Sequence, residues 1–213
     1  MEIFDISPEV SPEIAVWPGD VPYQSDVALD MVAGDNLTLS SIRTTVHVGA
    51  HVDAPKHYAL AGEGIETRDL SFYYGSAQVI TVDIPRGSRI EVSDLGRDIV
   101  AERVLLRTNS FPDPNEFNRD FSALSPGLVE YLHDQGVRLV GIDTPSVDLF
   151  ADEDLLSHGA IARAGMAVLE GIVLGGVVDG LYTLIALPLK LRGADASPVR
   201  AVLLRESAGD YGK

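Results

Sequence analysis

The chain has 213 residues, with 16 Lys and Arg against 32 Asp and Glu, so its formal net charge is −16. Its length predicts one domain over residues 1–213, and 46% hydrophobic with 23% charged residues is typical of a soluble globular protein. The acidic balance argues against nucleic acid and anionic membranes as partners, because both select basic patches. The chain lacks cysteine, which excludes disulfides, thiolate nucleophiles and cysteine-bound zinc.

Strands outnumber helices in the predicted secondary structure. The first 35 residues contain many prolines and glycines, which predict extended pieces and turns. Runs rich in β-branched and apolar residues predict strands at residues 37–48, 77–84, 103–108, 137–142, 181–187 and 199–204. A short helix is expected from Ser125 to Gly136. Ser125 suits the N-cap, Pro126 suits the first helical position, and Gly136 suits the position after the helix end. These elements predict a mixed α/β or α+β domain around a sheet.

The sequence contains no evident targeting or membrane segment. The N terminus has no basic region followed by an apolar stretch, and the apolar run at residues 171–178 is too short to span a bilayer. We therefore expect a cytoplasmic location and no membrane partner.

Three of the five histidines fall within residues 47–57, in the segment H-V-G-A-H-V-D-A-P-K-H. Imidazole and carboxylate are ligands that a divalent cation such as zinc binds. Gly49 and the β-branched residues before it disfavour a helix with His47 and His51 on one face, and a fully extended chain would separate the two by about 13 Å. The chain must bend near Gly49, or two ions must share the cluster with Asp53 between them. The alternative is a polar strand end with solvated histidines.

Further ligands must come from distant parts of the chain. Glu170 interrupts an apolar run at residues 166–174, where a buried carboxylate is costly unless it is paired, hydrogen-bonded or bound to a metal. Arg163 is the alternative ion-pair partner for Glu170. His158 lies where an apolar stretch gives way to small residues, whereas His133, on the predicted helix, is expected to be solvated.

The histidine segment resembles a known family signature. H-V-G-A-H-V-D-A-P-K-H-Y at residues 47–58 is similar to H-x-G-T/A-H-x-D-x-P-x-H-F/Y of the cyclase superfamily of metal-dependent hydrolases. Other segments resemble its bacterial kynurenine formamidase (arylformamidase) branch, namely V-W-P-G-D at residues 16–20, G-M-A-V-L-E-G at 165–171, and the C-terminal segments at 184–189 and 195–203. The resemblance covers nearly the whole chain and ends before the polar tail.

The resemblance implies a metal-dependent enzyme with an α/β fold of the swivelling β/β/α type, a mixed sheet flanked by helices. The family's metal ligands fall on His47, His51, Asp53, His158 and Glu170. They would hold two divalent ions, commonly Zn²⁺, with Mn²⁺ as the alternative. His57 matches the acid/base catalyst, and Trp17 matches an aromatic residue near the substrate pocket, with a core tryptophan as the alternative. Members are usually dimers or larger, so a homodimer or larger homo-oligomer is expected.

The implied reaction is the hydrolysis of a small molecule, N-formyl-L-kynurenine, to L-kynurenine and formate, a step of tryptophan breakdown. Three alternatives stay open at this point. The protein could be another ring-opening or amide hydrolase of the superfamily, for instance an isatin hydrolase, which shares the histidine signature and prefers manganese. A metal-binding module would hold ions without turnover and would leave His57 unexplained. A Ser–His–Asp hydrolase is poorly supported, because the sequence contains no G-x-S-x-G motif.

Overall fold

The computed structural model describes residues 1–205, which form many short strands and few helices. The strands are β1 (Glu2–Asp5), β2 (Gln24–Leu29), β3 (Leu39–Arg43), β4 (His51–Asp53), β5 (Tyr74–Thr81), β6 (Arg89–Ile90), β7 (Arg103–Arg107), β8 (Ala123–Leu124), β9 (Leu139–Ile142), β10 (Ala167–Glu170), β11 (Gly180–Ile185), β12 (Ala196–Pro198) and β13 (Val202–Arg205). The helices are α1 (Pro55–Tyr58), α2 (Pro126–Asp134) and α3 (Leu156–Ala164).

One nine-stranded sheet organises the molecule, in the order β1-β13-β11-β5-β7-β9-β10-β4-β12. Its central strands β5, β7, β9 and β10 run parallel to one another. Antiparallel strands extend the sheet on both sides, β11 next to β5 and β4 next to β10. A mixed sheet with helices packed on it is an α/β architecture, which confirms the predicted fold class.

The two faces of the sheet bury separate apolar cores. Alternate residues of a strand point to opposite faces. On β7, Val104 and Leu106 pack with Leu128 of α2 and Ile161 of α3, whereas Leu105 belongs to the cluster on the other side. All five side chains are fully buried. The middle of β7 is therefore apolar on both sides, as expected for a parallel strand covered on both faces.

Helix α2 begins and ends where the sequence indicates. The Ser125 hydroxyl accepts a hydrogen bond from the Leu128 N–H at 3.1 Å, and Pro126 occupies the first turn. Gly136, just beyond the helix, has the left-handed φ of +84° that glycine favours. Among the described residues, no helix combines the length and the apolar character needed to cross a bilayer.

Several elements differ from the sequence prediction. Strands β4 and β10, which carry candidate ligands, were not predicted. The strand expected over residues 37–48 ends at Arg43, because the chain then turns towards β4, with Gly49 at a φ of +58°. Helix α3 was not predicted. It begins after Leu155, which provides no side-chain cap, so the usual sequence signal of a helix start is missing.

A two-stranded hairpin of β2 and β3 lies outside the central sheet. Its apolar side chains are largely exposed, with Val27 at 58%, Leu39 at 53% and Ile42 at 66%. Exposed apolar side chains on a hairpin of this kind are available for protein–protein contact.

Candidate metal centre

Strands β4 and β10 place three of the candidate ligands. His51 and Asp53 are two residues apart on β4, so they point to the same face of the sheet. The antiparallel register sets Glu170, the last residue of β10, directly opposite His51. As a result, His51 Nε2 lies 3.2 Å from Glu170 Oε2.

His47 reaches the same cluster through the turn before β4. Gly49 lies in this turn with a φ of +58°, so the chain bends here, which was one of the two possibilities left open by the histidine spacing. The turn brings His47 Nδ1 to 3.1 Å from Asp53 Oδ1. His47 and His51 therefore approach Asp53 together, and their ring centroids are 5.0 Å apart.

His158 comes from the first turn of α3. Its Nε2 lies 3.4 Å from Asp53 Oδ2 and 3.5 Å from Glu170 Oε1. Asp53 is central, because one of its oxygens faces His47 and the other faces His158. The fold thus brings together all five residues that the family resemblance indicates as metal ligands.

Several buried polar atoms of this cluster have no hydrogen-bond partner within the described part of the chain. They are Nε2 of His51, both carboxylate oxygens of Asp53 and Nε2 of His158. An unpaired buried polar atom costs roughly 1–3 kcal/mol. Imidazole nitrogens and carboxylate oxygens that face one another are the donor set of a divalent cation, so the residues present fit a metal centre.

Burial and neighbouring charges compete at the two carboxylates. Desolvation alone would raise the pKa of Asp53, but His158 and His47 hold this pKa well below its usual value. The pKa of Glu170 is also lowered, by His158 and His51, against desolvation and the charge of Asp53. Desolvation opposes a charged His47, yet Asp53 raises the pKa of this imidazole to about 9. The ionised carboxylates demand positive charge, which protonated imidazoles or a divalent cation can supply.

Each of three histidines is oriented by an oxygen on the side of the ring that faces away from Asp53 and Glu170. These contacts join His51 Nδ1 to the Gly49 carbonyl (2.8 Å), His47 Nε2 to Asp195 (3.0 Å) and His158 Nδ1 to Asp148 (2.9 Å). A ring nitrogen that donates to such an oxygen leaves the second nitrogen available to a metal. The sequence analysis missed Asp148 and Asp195. Asp195 lies in a segment that resembles the family, but no spacing rule connects either carboxylate to a histidine.

A cavity of about 810 Å³ opens beside the cluster. His57 of α1 lines it, with a side chain 33% exposed and Nδ1 3.6 Å from Asp195. Trp17 also lines it, is 37% exposed, and stacks on Phe150 with ring centroids 5.1 Å apart. The structure therefore places Trp17 in the cavity and not in the core. The aromatic wall, as we call it, consists of Trp17, Phe111 and Phe117.

Two other residues considered from the sequence lie apart from this cluster. His133 on α2 has a side chain 51% exposed and lies 3.6 Å from Asp134, as expected for a solvated histidine. The Arg163 guanidinium lies 3.8 Å from Glu130. The alternative ion pair between Arg163 and Glu170 is therefore wrong.

Comparison with known sequences identifies the family. A sequence profile of the Cyclase family matches residues 4–149. A kynurenine formamidase from Delftia acidovorans (strain DSM 14801 / SPH-1) is 42% identical over 203 residues, which cover 94% of this chain and 96% of that protein. The chain therefore belongs to the cyclase family, in its kynurenine formamidase branch.

Solved structures agree with this assignment. A structure described as a potential metal-dependent hydrolase with cyclase activity is 28% identical and superposes with a TM-score of 0.82, covering 97% of this chain and 99% of that chain. An isatin hydrolase A from Labrenzia aggregata superposes with a TM-score of 0.79 at 19% identity, covering 96% of this chain and 94% of that chain. The likeness to isatin hydrolase shows a common fold alone.

Proposed function

We propose that this protein is an arylformamidase, which hydrolyses N-formyl-L-kynurenine to L-kynurenine and formate in tryptophan degradation. The observation that carries the proposal is the convergence of imidazoles and carboxylates beside a cavity with an aromatic wall. Metal-assisted hydrolysis needs such a donor set next to room for a substrate. The kynurenine formamidase relative supports the choice of substrate.

The proposed metal ligands are His47, His51, Asp53, His158 and Glu170. They would hold two divalent ions, with Zn²⁺ expected and Mn²⁺ as the alternative, because both accept imidazole and carboxylate ligands. Asp53 suits a position shared by two ions, since its two oxygens face different histidines. When bound, the ions supply Lewis acidity, which polarises a carbonyl oxygen and lowers the pKa of water from 15.7 to about 7.

His57 is the proposed proton carrier. Hydrolysis joins a water oxygen to the formyl carbon, breaks the C–N bond and leaves a proton on the departing aryl amine. The Nδ1 atom of His57 faces Asp195, so Nε2 is the nitrogen available to take a proton from water and to pass it to the amine. Imidazole exchanges protons in both directions near neutral pH, which suits it to both steps.

Trp17 is proposed to bind the aryl ring of the substrate. One face of its indole already stacks on Phe150, which fixes the plane of the ring, while Trp17 itself borders the cavity. An aromatic substrate gains about 0.5–1.5 kcal/mol from such a pair beyond the apolar area that it buries. The aromatic wall therefore favours an aryl formamide over an aliphatic one.

We also propose that the protein forms a homodimer through the hairpin of β2 and β3. The hairpin exposes apolar side chains that a second copy could bury. Light scattering should give twice the mass of one chain, and a monomer at all concentrations would contradict this. A cytoplasmic location is proposed because the substrate is an intermediate of amino-acid breakdown, and cell fractionation tests it.

Formate release from N-formyl-L-kynurenine tests the proposed function directly. The protein is stripped with a chelator, then assayed without added metal and after addition of Zn²⁺ or Mn²⁺. We expect release only with added metal. Isatin is assayed in parallel as the competing substrate, because isatin hydrolase shares the fold.

The possible outcomes separate the alternatives. Hydrolysis of isatin without hydrolysis of the formamide would identify an isatin hydrolase. Metal binding without turnover of either substrate would identify a binding module. Formate release from the stripped protein at the full rate would contradict the metal-dependent mechanism.

A further inference from the structure

One buried carboxylate outside the candidate ligand set contacts both His158 and the helix that carries it. The Asp148 side chain is 1% exposed. Its Oδ2 atom accepts a hydrogen bond from the His158 backbone N–H at 3.0 Å and lies 2.9 Å from His158 Nδ1. Its Oδ1 atom accepts hydrogen bonds from the Ser157 N–H at 2.8 Å and from Arg89 Nη1 at 3.1 Å. The two oxygens of this carboxylate thus face four hydrogen-bond donors.

Asp148 also replaces the missing cap of α3. Leu155, at the N-cap position, has a left-handed φ of +49° and gives no side-chain hydrogen bond. The N–H groups of Ser157 and His158 would otherwise be unpaired at the start of the helix, and Asp148 accepts from both. The carboxylate that locates the start of the helix therefore also orients the ring that the helix carries.

Arg89 holds Asp148 in place. Its guanidinium donates to Asp148 and to the Ser157 hydroxyl (2.9 Å), and its other terminal nitrogen contacts Asp152. Asp152 also lies 3.4 Å from the Leu156 N–H. The guanidinium thus ties the loop before α3 to the first turn of this helix.

We propose that Asp148, fixed by Arg89, is a positioning residue that presets His158 as a metal ligand. By accepting a hydrogen bond from Nδ1–H, Asp148 keeps the lone pair of His158 on Nε2, the nitrogen that faces Asp53 and Glu170. A carboxylate in this position fixes the tautomer and orientation of a ligating imidazole. The inference rests on the proposed metal centre.

Asp148→Asn tests this role without changing the size of the side chain. An amide has one oxygen, so its NH₂ must face either His158 or the pair of Ser157 and Arg89, all of which are donors. If the NH₂ faces His158, it favours the tautomer with the proton on Nε2, and this nitrogen then has no lone pair for a metal. If it faces the other pair, α3 loses its cap and the contact with Arg89.

Asp152→Asn is the matched control. It makes the same carboxylate-to-amide change on the other acidic partner of Arg89, and it removes the same charge near the site. Asp152 binds the guanidinium and the first N–H of α3, but it forms no hydrogen bond or ion pair with the His158 ring. Any loss of affinity common to both variants reflects charge or helix stability.

Zinc affinity, measured by competition with a chelator, is the deciding quantity. We expect Asp148→Asn to bind zinc about 10- to 100-fold more weakly than the wild type, and Asp152→Asn to stay close to the wild type. Equal affinities of the two variants would overturn the proposal. The wild type is assayed in parallel with N-formyl-L-kynurenine. A wild type that binds zinc without turnover would contradict the proposed function alone, and one that binds no zinc would overturn this inference with the metal centre.

A measurement on zinc-loaded wild-type protein needs no folded variant. Long-range ¹H–¹⁵N correlations through the carbon-bound ring protons report both nitrogens of each histidine, and the chain has only five histidines. The expected result is a protonated Nδ1 and a metal-bound Nε2 on His158. A protonated Nε2 or a metal-bound Nδ1 would refute the positioning role of Asp148.

Discussion

Gly171→Ala probes how the backbone supports the metal centre. Gly171 follows Glu170 with a φ of +66°, and a Cβ added there would lie 2.2 Å from the Gly49 carbonyl oxygen. This carbonyl oxygen is 2.8 Å from His51 Nδ1 and orients that ring. An alanine side chain must therefore push Gly49 away from Glu170, and this movement displaces two candidate ligands at once.

Gly165→Ala provides a matched control for the magnitude. Gly165 has nearly the same φ, +64°, but nothing lies within 4 Å of an added Cβ. Both variants carry the strain of a left-handed alanine, about 1–2 kcal/mol. Gly171→Ala adds the displacement of packed backbone, about 1–3 kcal/mol. We expect the free energy of unfolding to fall by about 1–2 kcal/mol in Gly165→Ala and about 2–5 kcal/mol in Gly171→Ala.

Urea unfolding of the metal-free variants, followed by circular dichroism, measures this difference without the contribution of bound metal. Zinc competition on the same samples should show weakened binding by Gly171→Ala and nearly unchanged binding by Gly165→Ala. Equal stability and equal zinc affinity of the two variants would refute the reasoning, because the contact with Gly49 would then have no consequence.

Three further predictions follow from the site and its surroundings. His57→Ala should keep its zinc content and lose about 10²–10⁴-fold in kcat, and normal turnover by the zinc-loaded variant would exclude the proton-transfer role. Trp17→Ala should raise KM without loss of zinc, and Trp17→Phe should restore part of the binding; equal KM values for all three proteins would contradict ring stacking. In Asp179→Asn, the free energy of unfolding should fall less steeply with decreasing pH than in the wild type. Burial opposes the charge of Asp179, but its contacts with Thr81, Arg97 and Arg107 lower its pKa below the usual 3.8. Its contribution to stability is therefore present above the unfolded pKa and lost as pH falls through the folded pKa. Urea unfolding between about pH 6 and pH 2 checks this, and parallel curves of stability against pH for wild type and variant would contradict it.

The sequence predicted the elements that carry strong local signals. Helix α2 has a serine cap, a proline in its first turn and Gly136 after its end, and the strands at the sheet centre are rich in β-branched and apolar residues. Helix α3 lacks such signals, because its cap comes from Asp148, which is not adjacent to its start in the sequence. Strand order was not predicted either, since it depends on pairing between distant segments.

The candidate site divides in the same way. The histidine segment stands out in the sequence because three histidines are clustered in it, and Glu170 stands out because it lies in an apolar run. The family resemblance adds His158. The structure brings these residues together, while their role as ligands stays a prediction. Asp148 and Asp195 could not be found from the sequence, because each acts through a histidine that only the fold brings within reach.

Strand register decides whether these residues can form one centre. Strand β4 lies between β10 and β12, and it sets His51 opposite Glu170 on one side and Pro198 on the other. Strand β12 is at the edge of the sheet, where a proline without an N–H donor is tolerated. A slip of one residue would turn His51 and Asp53 towards the apolar core that Val52 occupies. Such a slip would place the buried carboxylate in an apolar core and turn Val52 towards the ligand cluster, so the packing that stabilises the sheet also fixes the alignment of the candidate ligands.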